Sequence, residues 1–190
     1  MTRYAAGVRY APFFCEENVW QLARDRSSLP GDRRAVFVLG DDHVRPTVAV
    51  WRQRAAAAAP FVVWDYHVVL FERPAVSAPW QVWDQDSTLG MPVDAATWIA
   101  GSFEHELPGL APWFRVVGAD ELLRVFSSDR RHMRTPEGQE RAPFPPWPPI
   151  LDAHGQHLLP RFIDAHDPFI GEVCDLAGLR ARFGTSPGAP

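Results

Sequence analysis

The sequence predicts an α+β domain in which an antiparallel sheet packs against helices. Three observations predict it. The run Phe61 to Phe71, FVVWDYHVVLF, is β-branched and aromatic throughout, and Trp80 to Asp84 follows it across a turn that carries two prolines. Helical signals stand at Cys15 to Arg24, from Asp94 to about Phe103, and at Leu176 to Phe183. Strands and helices mix without a regular βαβ alternation, which sets the chain apart from parallel-sheet folds.

Taken in order, the first unit is CEENVWQLAR, Cys15 to Arg24. Val19, Trp20 and Ala23 share one helical face, and Glu16 and Glu17 suit a first turn, where the macrodipole favours negative charge. Ser27 to Asp32 is a loop with Pro30-Gly31 as its turn. Ala35 to Leu39 and Thr47 to Trp51 read as strands, and Ala55 to Ala59 as a helical scrap or a connector capped by Pro60. Phe61 to Phe71 and Trp80 to Asp84 then form an antiparallel hairpin. A helix follows from Asp94, a short strand covers Trp113 to Val117, and a helix starts at Asp120 and runs to Phe126. Asp175 caps a last helix that carries Leu176, Leu179 and Phe183 and stops at Gly184. Residues 1–184 are expected to form one domain and residues 185–190 a flexible tail.

Composition limits the function classes. The chain has 190 residues, 46% hydrophobic and 22% charged, which suits a globular fold and excludes a wholly disordered one. Net charge is -4, and the 19 basic residues, all arginine, form no basic tract, so no nucleic-acid partner is expected. No apolar stretch is long enough to span a bilayer, and Met1-Thr2-Arg3-Tyr4 does not open a signal peptide. No membrane partner is expected; the expected compartment is the cytoplasm and the expected state a monomer. Two cysteines cannot build a disulfide framework, so both are expected as thiols. Eight tryptophans and twelve phenylalanines call for a substantial core or cleft.

Chemistry is suggested first by Cys15. A thiol at a helix start feels the positive helix end, and the backbone N–H groups there can hold an oxyanion. A buried structural cysteine is the competing reading, and position alone favours it. The hairpin changes the weighting. Alternation puts Asp65, His67 and Val69 on one strand face, and Val82, Asp84 and Asp86 on one face of the partner. A symmetric turn between Glu72 and Pro79 sets His67 opposite Asp84 and Asp65 opposite Asp86, close enough for a carboxylate to orient an imidazole. A slip of one residue would separate the pair. Cys15, His67 and Asp84 would then be nucleophile, base and orienting acid of a thiol acyl-transfer enzyme. A His–Asp pair on a solvated strand face is an equal reading from the residues alone.

Other features weigh less. His154-Gly155-Gln156-His157 lacks the helical pattern and further ligands of a metal site and reads as a loop. Ser128 to Met133, SDRRHM, is a solvated loop or a salt-bridge knot before it is an anion site. The proline-rich stretch Ala142 to Pro149 reads as an extended segment pinned by Phe144 and Trp147 rather than as a ligand for a peptide-binding domain. Cys174 reads as core.

The stretches CEENVW (Cys15 to Trp20), WDYHVVL (Trp64 to Leu70), DQDS (Asp84 to Ser87), SDRRHM, the proline segment near Trp147 and the closing RFG (Arg182 to Gly184) together resemble the protein N-terminal glutamine amidohydrolases, the deamidases of the N-degron pathway. They keep that family's order and spacing over nearly the whole chain. The resemblance implies a papain- or transglutaminase-like α+β fold with a catalytic triad of Cys15, His67 and Asp84 and no metal or cofactor. It implies deamidation of an N-terminal glutamine to glutamate on protein or peptide substrates. The stretches around Leu89 to Pro92 and Phe169 to Cys174 depart from the family pattern. Terminal selectivity calls for a carboxylate to meet the substrate α-ammonium, and Glu17, Asp65 and Asp86 are the candidates. A cysteine protease, a transglutaminase-like enzyme, or a non-catalytic module that binds N-terminal residues are the alternatives.

Overall fold

A computed structural model describes residues 7–41 and 46–184; the expected tail at 185–190 lies outside the described residues. The observed class is α+β. The elements in chain order are α1 (Cys15–Asp25), β1 (Asp32–Gly40), β2 (Val48–Trp51), β3 (Phe61–Trp64), β4 (His67–Arg73), β5 (Gln81–Trp83), β6 (Val93–Asp94), α2 (Ala95–Ser102), β7 (Pro112–Gly118), α3 (Ala119–Val125), α4 (Leu159–Phe162), β8 (Glu172–Asp175) and α5 (Leu176–Phe183). Six strands form one antiparallel sheet in the order β6-β5-β4-β1-β7-β8, and β2 and β3 form a separate pair.

The pleat sorts the core into two layers. On one face Val36, Val38, Val69, Phe71, Val82 and Phe114 pack against Trp98 and Ile99 of α2 and Leu179 and Phe183 of α5. On the other, Ala35, Phe37, Leu39, Val68 and Leu70 pack against Val19 and Leu22 of α1, Leu122 of α3 and Phe162 of α4. Residues 35–40 of β1 are buried throughout because the strand is central and covered on both sides. Its apolar run is therefore continuous rather than alternating.

Local chemistry sets the element ends. Asp94 caps α2, its carboxylate accepting from the backbone N–H groups of Ala96 and Thr97 at 3.0 and 3.2 Å. Asp175 caps α5 by accepting from Gly178 N–H at 2.8 Å. Gly31 turns the chain into β1 with φ +117°, and a Cβ there would stand 2.2 Å from the Arg73 carbonyl oxygen, so only glycine fits.

The structure corrects the sequence reading in several places. The long strand Phe61 to Phe71 is two strands. β4 begins at His67, opposite Val38, and the chain leaves the large sheet at exposed Asp65 so that β3 can pair with β2. The β4–β5 register sets Leu70 opposite Trp83, Phe71 opposite Val82 and Glu72 opposite Gln81. It is displaced by two residues from the symmetric hairpin, so neither His67–Asp84 nor Asp65–Asp86 is a directly opposed pair. The short elements β6, β8 and α4 carry too few residues to show a period, and the connector near Ala55 tightens into a 3₁₀ turn at Arg54–Ala56.

Candidate active site

Cys15 is the first residue of α1. The preceding residue, Phe14, has no side chain able to cap the helix, so the first-turn N–H groups receive no side-chain acceptor from it. The backbone N–H groups of Glu16 and Val68 are directed at the Cys15 sulfur. Burial and then the carboxylates of Glu16 and Asp86 nevertheless push the thiol pKa well above its ordinary value. The shift favours the protonated thiol over the thiolate. Phe13, two residues earlier, holds a left-handed backbone at φ +68° with its ring 60% exposed. That conformation is strained for an aromatic residue, and such strain gathers at functional sites.

His67 is the first residue of β4, at the end of the sheet where β3 folds away. Trp64, the last residue of β3, stacks on its imidazole with ring centroids 5.9 Å apart. The Nε2–H of His67 donates to Asp84 Oδ1 at 2.9 Å, leaving Nδ1 as the second ring nitrogen. Because the register displacement is two residues and not one, Asp84 stays on the sheet face of His67 and reaches it diagonally.

Asp84 is fully buried and accepts four hydrogen bonds. Oδ1 takes His67 and the Asp86 backbone N–H at 3.0 Å; Oδ2 takes Trp98 Nε1–H at 2.9 Å and Gln53 Nε2–H at 3.1 Å. Burial alone would raise its pKa, but the His67 charge and hydrogen bond, then Trp98 and Gln53, hold it below the ordinary value. For His67, burial works against the imidazolium, and the charge and hydrogen bond of Asp84, with Asp86 behind, carry its pKa above the ordinary imidazole value. Each partner stabilises the charged form of the other.

Cys15, His67, Asp65 and Asp86 line one cavity of about 270 Å³, with Tyr66 and His132 among its other walls. Asp86 accepts from the Tyr10 hydroxyl at 2.5 Å, and burial raises its pKa. One atom each from His67, Asp84 and Asp86 lie within 4.8 Å of one another, the single cluster of metal-ligand type among the described residues. Both oxygens of Asp84 already accept two hydrogen bonds, so the arrangement suits proton movement at His67 better than a cation cage.

Glu17, the third ammonium-binding candidate, does not line that cavity. It is fully buried and takes Arg130 through two hydrogen bonds of 2.7 Å and Trp147 Nε1–H at 2.7 Å. Both oxygens are committed to that knot, which ties α1 to the SDRRHM loop and to the proline segment. Phe144 also pins that segment, edge-on to Phe14 with ring centroids 5.8 Å apart. Gln53 and Trp98 complete the site without having been singled out in the sequence; both are distant from His67 in the chain, and only the fold brings them to Asp84. Trp64 and His132 stood in the WDYHVVL and SDRRHM stretches, with no role of their own given to them there.

Comparison with known proteins gives the family. A family model described as N-terminal glutamine amidase matches residues 10–183. Relatives named protein N-terminal glutamine amidohydrolase from Drosophila pseudoobscura pseudoobscura and Drosophila grimshawi are each 39% identical over 166 residues, covering 83% of this chain and 79% of theirs. The chain belongs to the N-terminal glutamine amidase family.

Proposed function

We propose that the protein hydrolyses the side-chain amide of an N-terminal glutamine in a protein or peptide, giving N-terminal glutamate and ammonia. The observation that carries the reading is a cavity shared by Cys15 and His67, with Asp84 fixed on the far side of the imidazole, in a chain of this family. The antiparallel sheet with the nucleophile at a helix start is the arrangement expected of a papain- or transglutaminase-like hydrolase.

The thiol proton passes to His67 as the Cys15 sulfur attacks the amide carbon. First-turn N–H groups of α1 stabilise the oxyanion. The imidazolium gives its proton to the departing nitrogen, ammonia leaves, and a γ-glutamyl thioester remains. His67 then takes a proton from water, the resulting hydroxide opens the thioester, and the proton returns to the sulfur. Asp84 holds the tautomer and stabilises the imidazolium that forms twice in the cycle. The substrate α-ammonium is met by Asp86 inside the cavity, with Asp65 at its exposed rim. A carboxylate there favours a charged chain end over an internal residue.

The test is ammonia release and product mass with peptides bearing N-terminal Gln, N-terminal Asn, or internal Gln behind a blocked terminus. Deamidation of the first alone, lost in Cys15→Ala, supports the reading. Peptide cleavage or amine incorporation moves the protein to a protease or transglutaminase activity. Inactivity of the folded, reduced protein on all three peptides overturns the enzyme reading.

A further inference from the structure

A second carboxylate–imidazole pair stands beside the nucleophile, apart from His67 and Asp84. Glu16 follows Cys15 in α1 and is 1% exposed. The Cys15 sulfur is 3.7 Å from Glu16 Oε2, within reach of a thiol hydrogen bond to that oxygen. Glu16 Oε1 is buried with no hydrogen-bond partner among the described residues and lies 3.5 Å from His132 Nε2. His132, which also walls the cavity, carries a buried Nδ1 likewise without a partner among the described residues. Burying a carboxylate oxygen without a partner is costly, and two such atoms in one pair beside a catalytic thiol call for an explanation.

We propose that Glu16 and His132 act as a positioning pair for the nucleophile: Glu16 accepts the Cys15 thiol hydrogen bond in the resting enzyme, and the imidazole of His132 offsets the Glu16 charge as the sulfur becomes anionic. The proposal rests on Cys15 being the nucleophile. Without His132, the carboxylate would oppose the thiolate at close range; without Glu16, the thiol would lose the acceptor that orients it.

The surrounding groups fit this division of labour. The Tyr66 hydroxyl, from the β3–β4 connection, hydrogen-bonds the Glu16 carboxylate and is 3.5 Å from His132 Nε2; burial followed by the Glu16 charge raises its pKa well up, so it stays a neutral donor. His157 stacks on His132 with ring centroids 5.7 Å apart, and its Nδ1 is 3.2 Å from Asp129 Oδ1. Burial lowers the His157 pKa, and His132 is the imidazole that stands 3.5 Å from Glu16 Oε1. Asp129 is held by Arg131, and Arg130 by Glu17, so neither arginine of that loop is committed to Glu16. From the cavity side Asp86 adds negative charge to the thiol. His132 is thus the group placed to counter Glu16.

The test reads the thiol itself. Alkylation of Cys15 by iodoacetamide is followed against pH, with peptide-level mass spectrometry to separate Cys15 from Cys174. Glu16→Gln keeps the shape and removes the charge; it should move the alkylation midpoint down by about one pH unit or more. His132→Gln should move it up by a similar amount. In the Glu16→Gln background the His132→Gln change should have no further effect. Circular dichroism checks that each variant is folded. Midpoints unchanged in both single variants overturn the proposal, as does a His132→Gln shift that persists unchanged in the double variant. Should His132→Gln alone fail to fold, the folded double variant compared with Glu16→Gln still decides whether His132 acts through Glu16; should Glu16→Gln fail to fold, the double variant compared with His132→Gln decides whether the Glu16 charge acts on the thiol, an unchanged midpoint overturning the proposal. Full deamidase activity in Cys15→Ala would instead overturn the nucleophile assignment, an outcome that the alkylation midpoints do not share.

Discussion

The His67 imidazole and the Asp84 carboxylate meet diagonally across β4 and β5, at 2.9 Å, one step beyond the last hydrogen-bonded pair of the ladder. Past Leu70 and Trp83 the strands no longer constrain each other, so Asp84 is held by side chains instead. Trp98 comes from α2, Gln53 from the turn after β2, and the Asp86 N–H from the chain just beyond. Three separate elements thereby fix the acid that orients the imidazole.

This over-determination makes Asp84→Asn a severe change. An amide has one accepting oxygen and one NH2 group, and all four groups facing Asp84 donate. In either amide orientation two donors lose their acceptor. The expected result is a fall in kcat on an N-terminal Gln peptide by roughly 10²–10⁴-fold, with KM little changed, because the imidazolium loses its partner. Stability should fall by about 2 kcal/mol or more for the donors left unpaired. Steady-state kinetics and urea unfolding check the two parts.

The same pair predicts a stability window in pH. The Asp84 pKa is lowered in the folded protein, so its contribution is present above the unfolded carboxylate value and is lost as pH falls through the folded value. The His67 pKa is raised, so its contribution is complete below the unfolded imidazole value and is lost as pH rises through the folded one. The difference in Tm between wild type and Asp84→Asn should therefore be largest between about pH 4 and pH 6.5 and shrink on both sides. A difference that stays constant across pH would refute the coupling.

How much of this was legible in the sequence depended on how local each signal is. Asp94 and Asp175 announce their helices because a cap acts within three residues. Cys15, His67 and Asp84 were nominated by a helix start and by strand parity. Parity survived the error in register because a displacement of two residues keeps every side chain on its face. The break at Asp65 was not legible: the run is equally apolar on both sides, and the chain divides there because β1 and β2 belong to different sheets. Nor were the partners of Glu17. A glutamate in a first turn reads as a solvated charge, and Arg130 lies 113 residues away.

That buried ion pair carries its own prediction. Glu17 and Arg130 are 0% and 3% exposed, and removing one partner leaves the other charge stranded in the interior. Glu17→Ala or Arg130→Ala should cost about 3–5 kcal/mol in urea unfolding. The double replacement Glu17→Leu with Arg130→Met should recover much of that loss, because no unpaired charge remains. Equal losses in the single and double variants would show that the knot contributes through shape and not through charge.

The last prediction separates the two carboxylates proposed to meet the α-ammonium. Asp86 is half-buried in the cavity, whereas Asp65 is exposed at the rim, and an exposed ion pair contributes little. Asp86→Asn keeps the backbone N–H that donates to Asp84 and removes only the charge. KM for an N-terminal Gln peptide should rise by about 10-fold or more, equivalent to at least one charge-assisted hydrogen bond. Activity on the N-acetylated peptide, low in the wild type, should change little, so the preference for a charged terminus should collapse. Asp65→Asn should alter KM by less than about 3-fold, with an effect that fades as salt is added. Removing Asp86 also removes a negative neighbour of Cys15, so the thiol should alkylate at lower pH in this variant. The rise in KM must therefore appear with a thiol made easier to ionise, which separates lost substrate binding from a damaged nucleophile.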